Sequence, residues 1–257
     1  MSFQNILSYL EDLELHNNRA WFHETHKRYE SVKKEFETFT MMLVEHAAET
    51  APEMADKMKQ LKPGRFIYRT ARDMRYAGGR PPYKTWFACA LSDEGREKTA
   101  MSFYVQIEPH DRSEIGVGVW FTDNRSTTDR IRRYIQTHAD EFAHIMADEE
   151  VQSWFCGERV SRPPKGFSAD DPMIEYIKCK QWMLLYRIPD SALTDFESTA
   201  ALCRHVFEKM NPFRRFFAQA LLWQPPVVQE DEAQQEEIKE QSVGFWPTAR
   251  SADDWDF

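Results

Sequence analysis

Residues 62–85, KPGRFIYRTARDMRYAGGRPPYKT, gather the side chains best suited to chemistry. Lys62, Arg65, Arg69, Arg72, Arg75, Arg80 and Lys84 stand against one acid, Asp73, a net +6 in 24 residues of a chain whose total is −9. Arginine recurs every third residue at 69, 72 and 75. Gly78-Gly79 and Pro81-Pro82 then bend the chain ahead of Tyr83-Lys84-Thr85. Cations packed this closely repel one another unless acids or a bound anion neutralise them. Guanidinium forks take phosphate or carboxylate at two points, Lys84 adds a point charge, and Gly78-Gly79 can present backbone N–H groups. The expectation is an oxyanion site. A structural network with Glu108, Asp123 or Glu175 is the competing explanation. Asp73 and Tyr83 are the candidate catalytic residues, for phosphate-ester or acyl chemistry around an arginine-stabilised oxyanion. Against that, Asp73 can serve to hold the arginines apart, and Tyr83 can be a buried ring with a satisfied hydroxyl.

The rest of the composition narrows the setting. Removing the acidic end, residues 226–257 at −7, leaves residues 1–225 at −2. A nearly neutral body with one strongly basic segment suggests a focused site and not a surface that coats nucleic acid. The first residues have acids in their apolar stretch and no basic leader, and no window of the chain is apolar enough to span a bilayer. Cys89, Cys156, Cys179 and Cys203 are scattered without a C-x-x-C pair, which reads as reduced thiols in a cytoplasmic protein. His16, His23 and His26 lack the second cluster that a metal site needs, so none is expected. The sequence names no cofactor.

These side chains need a scaffold, and hydrophobic spacing outlines one. Phe3 to Leu15 repeats at helical period, and Asn17-Asn18 breaks it, either Asn being able to cap the next helix. One long helix is expected from Arg19 to about Thr50, with Pro52 as its stop, and a short one over Met54 to Leu61. Trp86–Leu91, Met101–Ile107 and Ile115–Phe121 read as strands of an antiparallel meander, separated by a polar loop at Ser92 to Lys98 and by Glu108-Pro109-His110-Asp111. Gly116 and Gly118 leave room for close backbone approach. After a turn at Asp123-Asn124, helix is expected over Thr127 to Ala147 with a break near His138, then another turn or two at Glu149 to Phe155. A short helix at Pro172 to Lys180 and a fourth strand at Trp182–Ile188 follow. Ser191 to Met210 should be helical, capped by Ser191 or Thr194, with Pro212 opening a last helix to Trp223. The whole predicts one α+β domain over residues 1–225: an antiparallel sheet of four or more strands packed by N- and C-terminal helices. Residues 226–257 read as an acidic flexible tail whose Phe245, Trp246, Trp255 and Phe257 could dock on a partner protein.

Three blocks taken together resemble a known family: Asn17-Asn18-Arg19-Ala20-Trp21-Phe22, then Arg69-x-x-Arg72-Asp73-x-Arg75-Tyr76, then Pro82-Tyr83-Lys84-Thr85. This arrangement is similar to domain of unknown function 2461, also called conserved hypothetical protein family 02453. Gly116-x-Gly118-x-Trp120 and Pro164-Lys165-Gly166 fit its glycine-rich strand and its P-x-G loop. The resemblance covers roughly residues 3–223. Where that family usually has serine, aspartate and lysine, this chain has Ala77, Gly79 and Arg80, so the hydroxyl and the carboxylate have no counterpart here. The resemblance implies a single α+β domain and a set of candidate residues, and no activity. With it, the candidate ligand residues are Asn18, Arg19, Arg69, Arg72, Arg75, Tyr83, Lys84, Gly118, Trp120 and Lys165. The expected partner is a phosphorylated or carboxylated small molecule, a nucleotide included. The alternative is a nucleic-acid- or protein-binding module that uses the same basic face, with the acidic tail as a partner contact.

Overall fold

The structure is a computed structural model, which describes residues 2–96, 101–120 and 125–224. The expected turn at Asp123-Asn124, the end of the Ser92–Lys98 loop and the tail 226–257 lie outside the described residues. The chain up to Trp223 forms one compact unit of α+β architecture.

Helix α1 (Gln4–Leu15) buries Ile6, Tyr9, Leu10 and Leu13, the stripe its spacing predicts. The expected long helix is two: α2 (Arg19–Glu24) and α3 (His26–Thr50), separated at Thr25, whose hydroxyl donates to the Trp21 carbonyl at 2.9 Å. Helix α3 ends at Thr50 just ahead of Pro52, as expected, and Pro52 also opens the short α4 (Pro52–Met58), where its missing N–H costs nothing. The meander is present as β1 (Phe87–Leu91), β2 (Phe103–Ile107) and β3 (Ser113–Val119). Helix α5 (Arg125–Thr137) gives way at His138 to α6 (Ala139–Met146), followed by α7 (Glu149–Trp154). Phe155–Cys156 forms β4, a two-residue strand that the sequence reading placed in a helical turn. After α8 (Ile174–Ile177) comes β5 (Trp182–Ile188).

The last helix corrects the sequence reading. Instead of two helices there is one, α9 (Phe196–Leu222), capped by Asp195, which accepts from the Ser198 N–H at 2.9 Å, and containing Pro212. Pro212 sits on the exposed side, so the Glu208 carbonyl it deprives of a donor can turn to water. The opposite side carries Val206, Phe207, Met210, Phe213, Phe216, Phe217 and Ala220 without interruption, all buried. That continuous apolar stripe outweighs the one lost hydrogen bond.

The sheet order is β1-β2-β3-β5-β4, antiparallel throughout. Its odd-numbered β1 and β2 residues face the helices: Phe87 stacks on Phe36 of α3 at 5.4 Å, and Phe103 on Phe207 of α9 at 4.6 Å. Strand alternation therefore sends Ala88, Ala90, Tyr104 and Gln106 to the second face. There they join Gly116 and Gly118 of β3. No helix among the described residues is long and apolar enough to cross a membrane.

Candidate functional site

The basic segment is an added edge of this sheet. Ile67 bridges Cys89 of β1, with hydrogen bonds from Tyr68 N–H to the Ala88 carbonyl and from Ala90 N–H to the Phe66 carbonyl, both 2.9 Å. Arg96 holds the start of the segment by donating to the carbonyls of Gly64 and Ile67. The chain then folds into a hairpin. Ala71 bridges Tyr83, with Arg72 N–H on the Pro82 carbonyl at 2.8 Å and Lys84 N–H on the Thr70 carbonyl at 2.9 Å. Its tip is a 3₁₀ turn at Met74–Tyr76 followed by Gly78 and Gly79, which carry φ of 57° and 80°, the left-handed backbone that glycine tolerates best.

Asn17 locks this hairpin to the helices. Its side-chain amide donates to the Tyr83 carbonyl and accepts from the Tyr83 N–H, both at 3.0 Å. The Tyr83 ring stacks on Phe22 of α2 with centroids 3.9 Å apart and planes 9° from parallel. Asn17 did not figure among the ligand candidates. Its signal was the Asn-Asn pair itself, in which only the second residue caps: Asn18 accepts from the Trp21 N–H at 3.0 Å.

Two diagonal residues on the hairpin stand apart from the other cations. Arg72 and Lys84 flank the Ala71–Tyr83 bridge on the same side, a spacing that puts their Cβ atoms roughly 7 Å apart. Both are partly buried, and neither pairs with a described carboxylate. The Arg72 Nε is sealed from solvent and has no acceptor. Burial, and then the Arg80 guanidinium, lower the pKa of Arg72, with Glu108 acting the other way. Burial, and then Arg72, lower that of Lys84. The Lys84 ammonium lies 4.5 Å from the centre of the Trp86 ring and 5.6 Å from that of Tyr68. Tyr68 in turn meets Trp86 at 6.5 Å and Tyr104 at 6.1 Å, both edge-on.

An acid stands beside this pair. Glu108, just past β2, ends a hydrogen-bonded row along the second face: Tyr104 donates to Gln106 at 2.6 Å, and Gln106 to Glu108 at 2.7 Å. Thr85 donates to its other oxygen at 3.2 Å, and Arg112 approaches that oxygen at 3.3 Å. Ser113 fixes its backbone, accepting from the Glu108 N–H at 2.9 Å and donating to its carbonyl at 3.0 Å. Burial nevertheless holds the Glu108 carboxyl above the usual range. The alternation Tyr104-x-Gln106-x-Glu108 was the sequence signal for this row.

The other expected residues do not join the group. Asp73 and Arg75 neutralise each other at the exposed tip, at 3.0 and 2.6 Å. Arg69 and Arg19 are exposed and make no side-chain hydrogen bond or ion pair among the described residues. The expected convergence of Arg69, Arg72 and Arg75 is therefore corrected to Arg72 with Lys84, and Arg80 close by. The competing structural network is also not the one expected: Glu108 is engaged by Arg112, Thr85 and Gln106, while Glu175 pairs with Lys178 at 3.0 Å. Asp123 lies outside the described residues. Gly118 has a structural reason to be glycine, since a Cβ there would stand 2.1 Å from the Trp182 carbonyl oxygen. Trp120 is half exposed at the end of β3. Lys165 is exposed on a loop whose Phe167 covers Arg133 of α5, and no described contact links it to the hairpin.

No curated protein and no solved structure matches the chain. Its residues 5–216 match a family described as conserved hypothetical protein, DUF2461. With Asn17 fastening the hairpin and Arg72 and Lys84 presented on it, the blocks that the sequence singled out sit together in a chain that belongs to the DUF2461 family.

Proposed function

We propose that the protein binds a small phosphorylated or carboxylated molecule at Arg72 and Lys84, beside the second face of the sheet. One observation carries the reading: the Arg72 guanidinium is partly buried, its Nε has no acceptor, and its electrostatic neighbours are two cations, Arg80 and Lys84, against one acid, Glu108. A sealed guanidinium N–H without an acceptor is destabilising, and an anion accepting from that Nε relieves it. Tyr68, Trp86 and Tyr104 supply aromatic surface for the rest of such a ligand.

The test is a thermal-shift series with inorganic phosphate, pyrophosphate, adenosine monophosphate and citrate. A ligand at about a hundred times its Kd stabilises by about 2.7 kcal/mol, which raises Tm by roughly 5–10 °C for a domain of this size. Arg72→Ala should abolish the rise and Arg75→Ala should keep it. A rise unaffected by Arg72→Ala moves the site elsewhere.

A second reading rests on the hairpin tip, where Tyr76 is 77% exposed next to Arg75 and would suit a base of single-stranded nucleic acid. Asp73 cancels the Arg75 charge there, which weakens that reading. Oligonucleotide affinity that falls steeply with salt and depends on Tyr76 would favour it.

A further inference from the structure

We propose that Lys84 is an amine nucleophile that forms an imine with small carbonyl compounds whose carboxylate or phosphate is held by Arg72. The inference rests on the anion-binding reading and adds a reaction class to it.

Lys84 differs from the other described lysines in its surroundings. Lys57, Lys178, Lys180 and Lys209 each hold a carboxylate at 2.6 to 3.1 Å, and Lys33 lies between Glu30 and Glu37 at 3.8 and 3.9 Å. Lys27, Lys34, Lys59, Lys62 and Lys165 are exposed to water. Lys84 has neither kind of support. It lies partly buried over Trp86 and Tyr68, its ammonium without a hydrogen bond or ion pair among the described residues, on the same side of the hairpin as a guanidinium. The aromatic faces favour the ammonium, while burial, and then Arg72, act the other way and lower the pKa of Lys84. Desolvation beside a second cation is a recognised way to make a lysine nucleophilic near neutral pH. The same cation that lowers the proton affinity of Lys84 can anchor an acid group on the incoming carbonyl compound.

The step balances without an oxidant or reductant. The nitrogen lone pair forms a bond to the carbonyl carbon and the C=O π pair moves to oxygen. One N–H proton passes to that oxygen, giving a carbinolamine. The second N–H proton leaves with the oxygen as one water, and the C=N bond closes.

The experiment uses the native protein at about pH 7. Separate samples receive pyruvate as the carboxylate probe, pyridoxal phosphate as the phosphate probe, and propanal as a neutral carbonyl. Borohydride then reduces any C=N to a stable secondary amine, and peptide mass spectrometry locates it. The expected result is labelling of Lys84 by an acidic probe severalfold above Lys62 and Lys165, because Arg72 holds the acid group beside it. Arg72→Ala should remove that preference, and propanal should show less of it. Lys84→Arg should lose the label with Tm unchanged. Lys84 labelled no more than Lys62 and Lys165 overturns the proposal. Labelling equal with propanal, or undiminished in Arg72→Ala, overturns the acid-bearing class. Phosphate that raises Tm in the native protein only, together with flat labelling, removes the imine while leaving the anion site intact. Preferential labelling with no such rise removes the anion site instead.

Discussion

The two ends of the basic hairpin treat the same residue type in opposite ways. At the tip, Arg75 reaches back to Asp73 two residues away, and the pair lies in water with its charges cancelled. At the base, Arg72 is drawn against the protein with its Nε sealed and no carboxylate bonded to it. An exposed arginine–aspartate pair adds little, because water already solvates both charges. A buried guanidinium without a partner opposes folding, so surrounding structure must hold it there. Charge density alone does not separate the two. Burial combined with the absence of a bonded carboxylate does, and it singles out the base.

The largest effect should come from releasing the base. Asn17→Ala removes both bonds to the Tyr83 peptide and leaves its N–H and carbonyl without partners. Losing such bonds costs about 1–3 kcal/mol, or roughly 3–10 °C in Tm. Phosphate binding should fall with it, since the hairpin would no longer hold Arg72 and Lys84 in place. Calorimetry and a phosphate titration on the variant test both. An unchanged Tm would mean that the Phe22–Tyr83 stack suffices to position the hairpin.

Much of this fold was legible in the sequence because hydrophobic period reports burial directly. The α1 stripe, the three-strand meander, the break at His138 and β5 all follow from it. What escaped was decided by tertiary context. Pro212 looked like a helix start, yet an unbroken run of buried aromatics carries α9 through it. The two residues of β4 have no period to read and exist because β5 offers them an edge at Leu184 and Met183. The site was legible as a segment but not as a geometry. Spacing of three suggested that Arg69, Arg72 and Arg75 act alike, whereas a hairpin that runs extended and then turns sends them to different surroundings. Trp86 stands just before β1 and Glu108 just past β2, and only the β1–β2 register, with Phe87 opposite Ile107, brings them to the hairpin base.

A smaller effect, and a pH signature, should separate Glu108 from the acids of the tip. Burial raises its folded pKa, so the folded state holds the proton more tightly than the unfolded chain does. The stability this contributes is complete below the ordinary carboxylate value of about 4.3 and is lost as pH rises through the raised folded value. Replacing it by the neutral amide, Glu108→Gln, removes that loss. The variant should therefore gain on the native protein as pH rises from about 4 through 6, in denaturation midpoints measured across the series. It should also bind phosphate severalfold more tightly at neutral pH, since one negative charge near Arg72 is gone. Glu114, also raised by burial and paired with Arg187 at 2.7 Å, keeps its own slope in both proteins. A difference that stays flat with pH would mean that Glu108 is well solvated and belongs with the tip.

The smallest effect belongs to Arg75→Ala, and its smallness is informative. The Arg75 side chain holds the Asp73 carboxyl below its usual range by hydrogen bonding. A depressed carboxyl contributes stability that is present above the unfolded value and lost as pH falls through the folded one, so the small loss on removing Arg75 should be present at neutral pH and vanish at the acid end of a melting series. Asp73 still accepts from the backbone N–H of residue 75, so the turn keeps its cap. At neutral pH, Tm should move by no more than about 1 °C, and that difference should shrink further with added salt, as expected for an exposed pair. Phosphate affinity should stay within about twofold, because the lost charge was already matched by Asp73. If affinity instead falls as far as in Arg72→Ala, then Arg75 leaves Asp73 when the anion arrives, and the hairpin closes on its ligand from both ends.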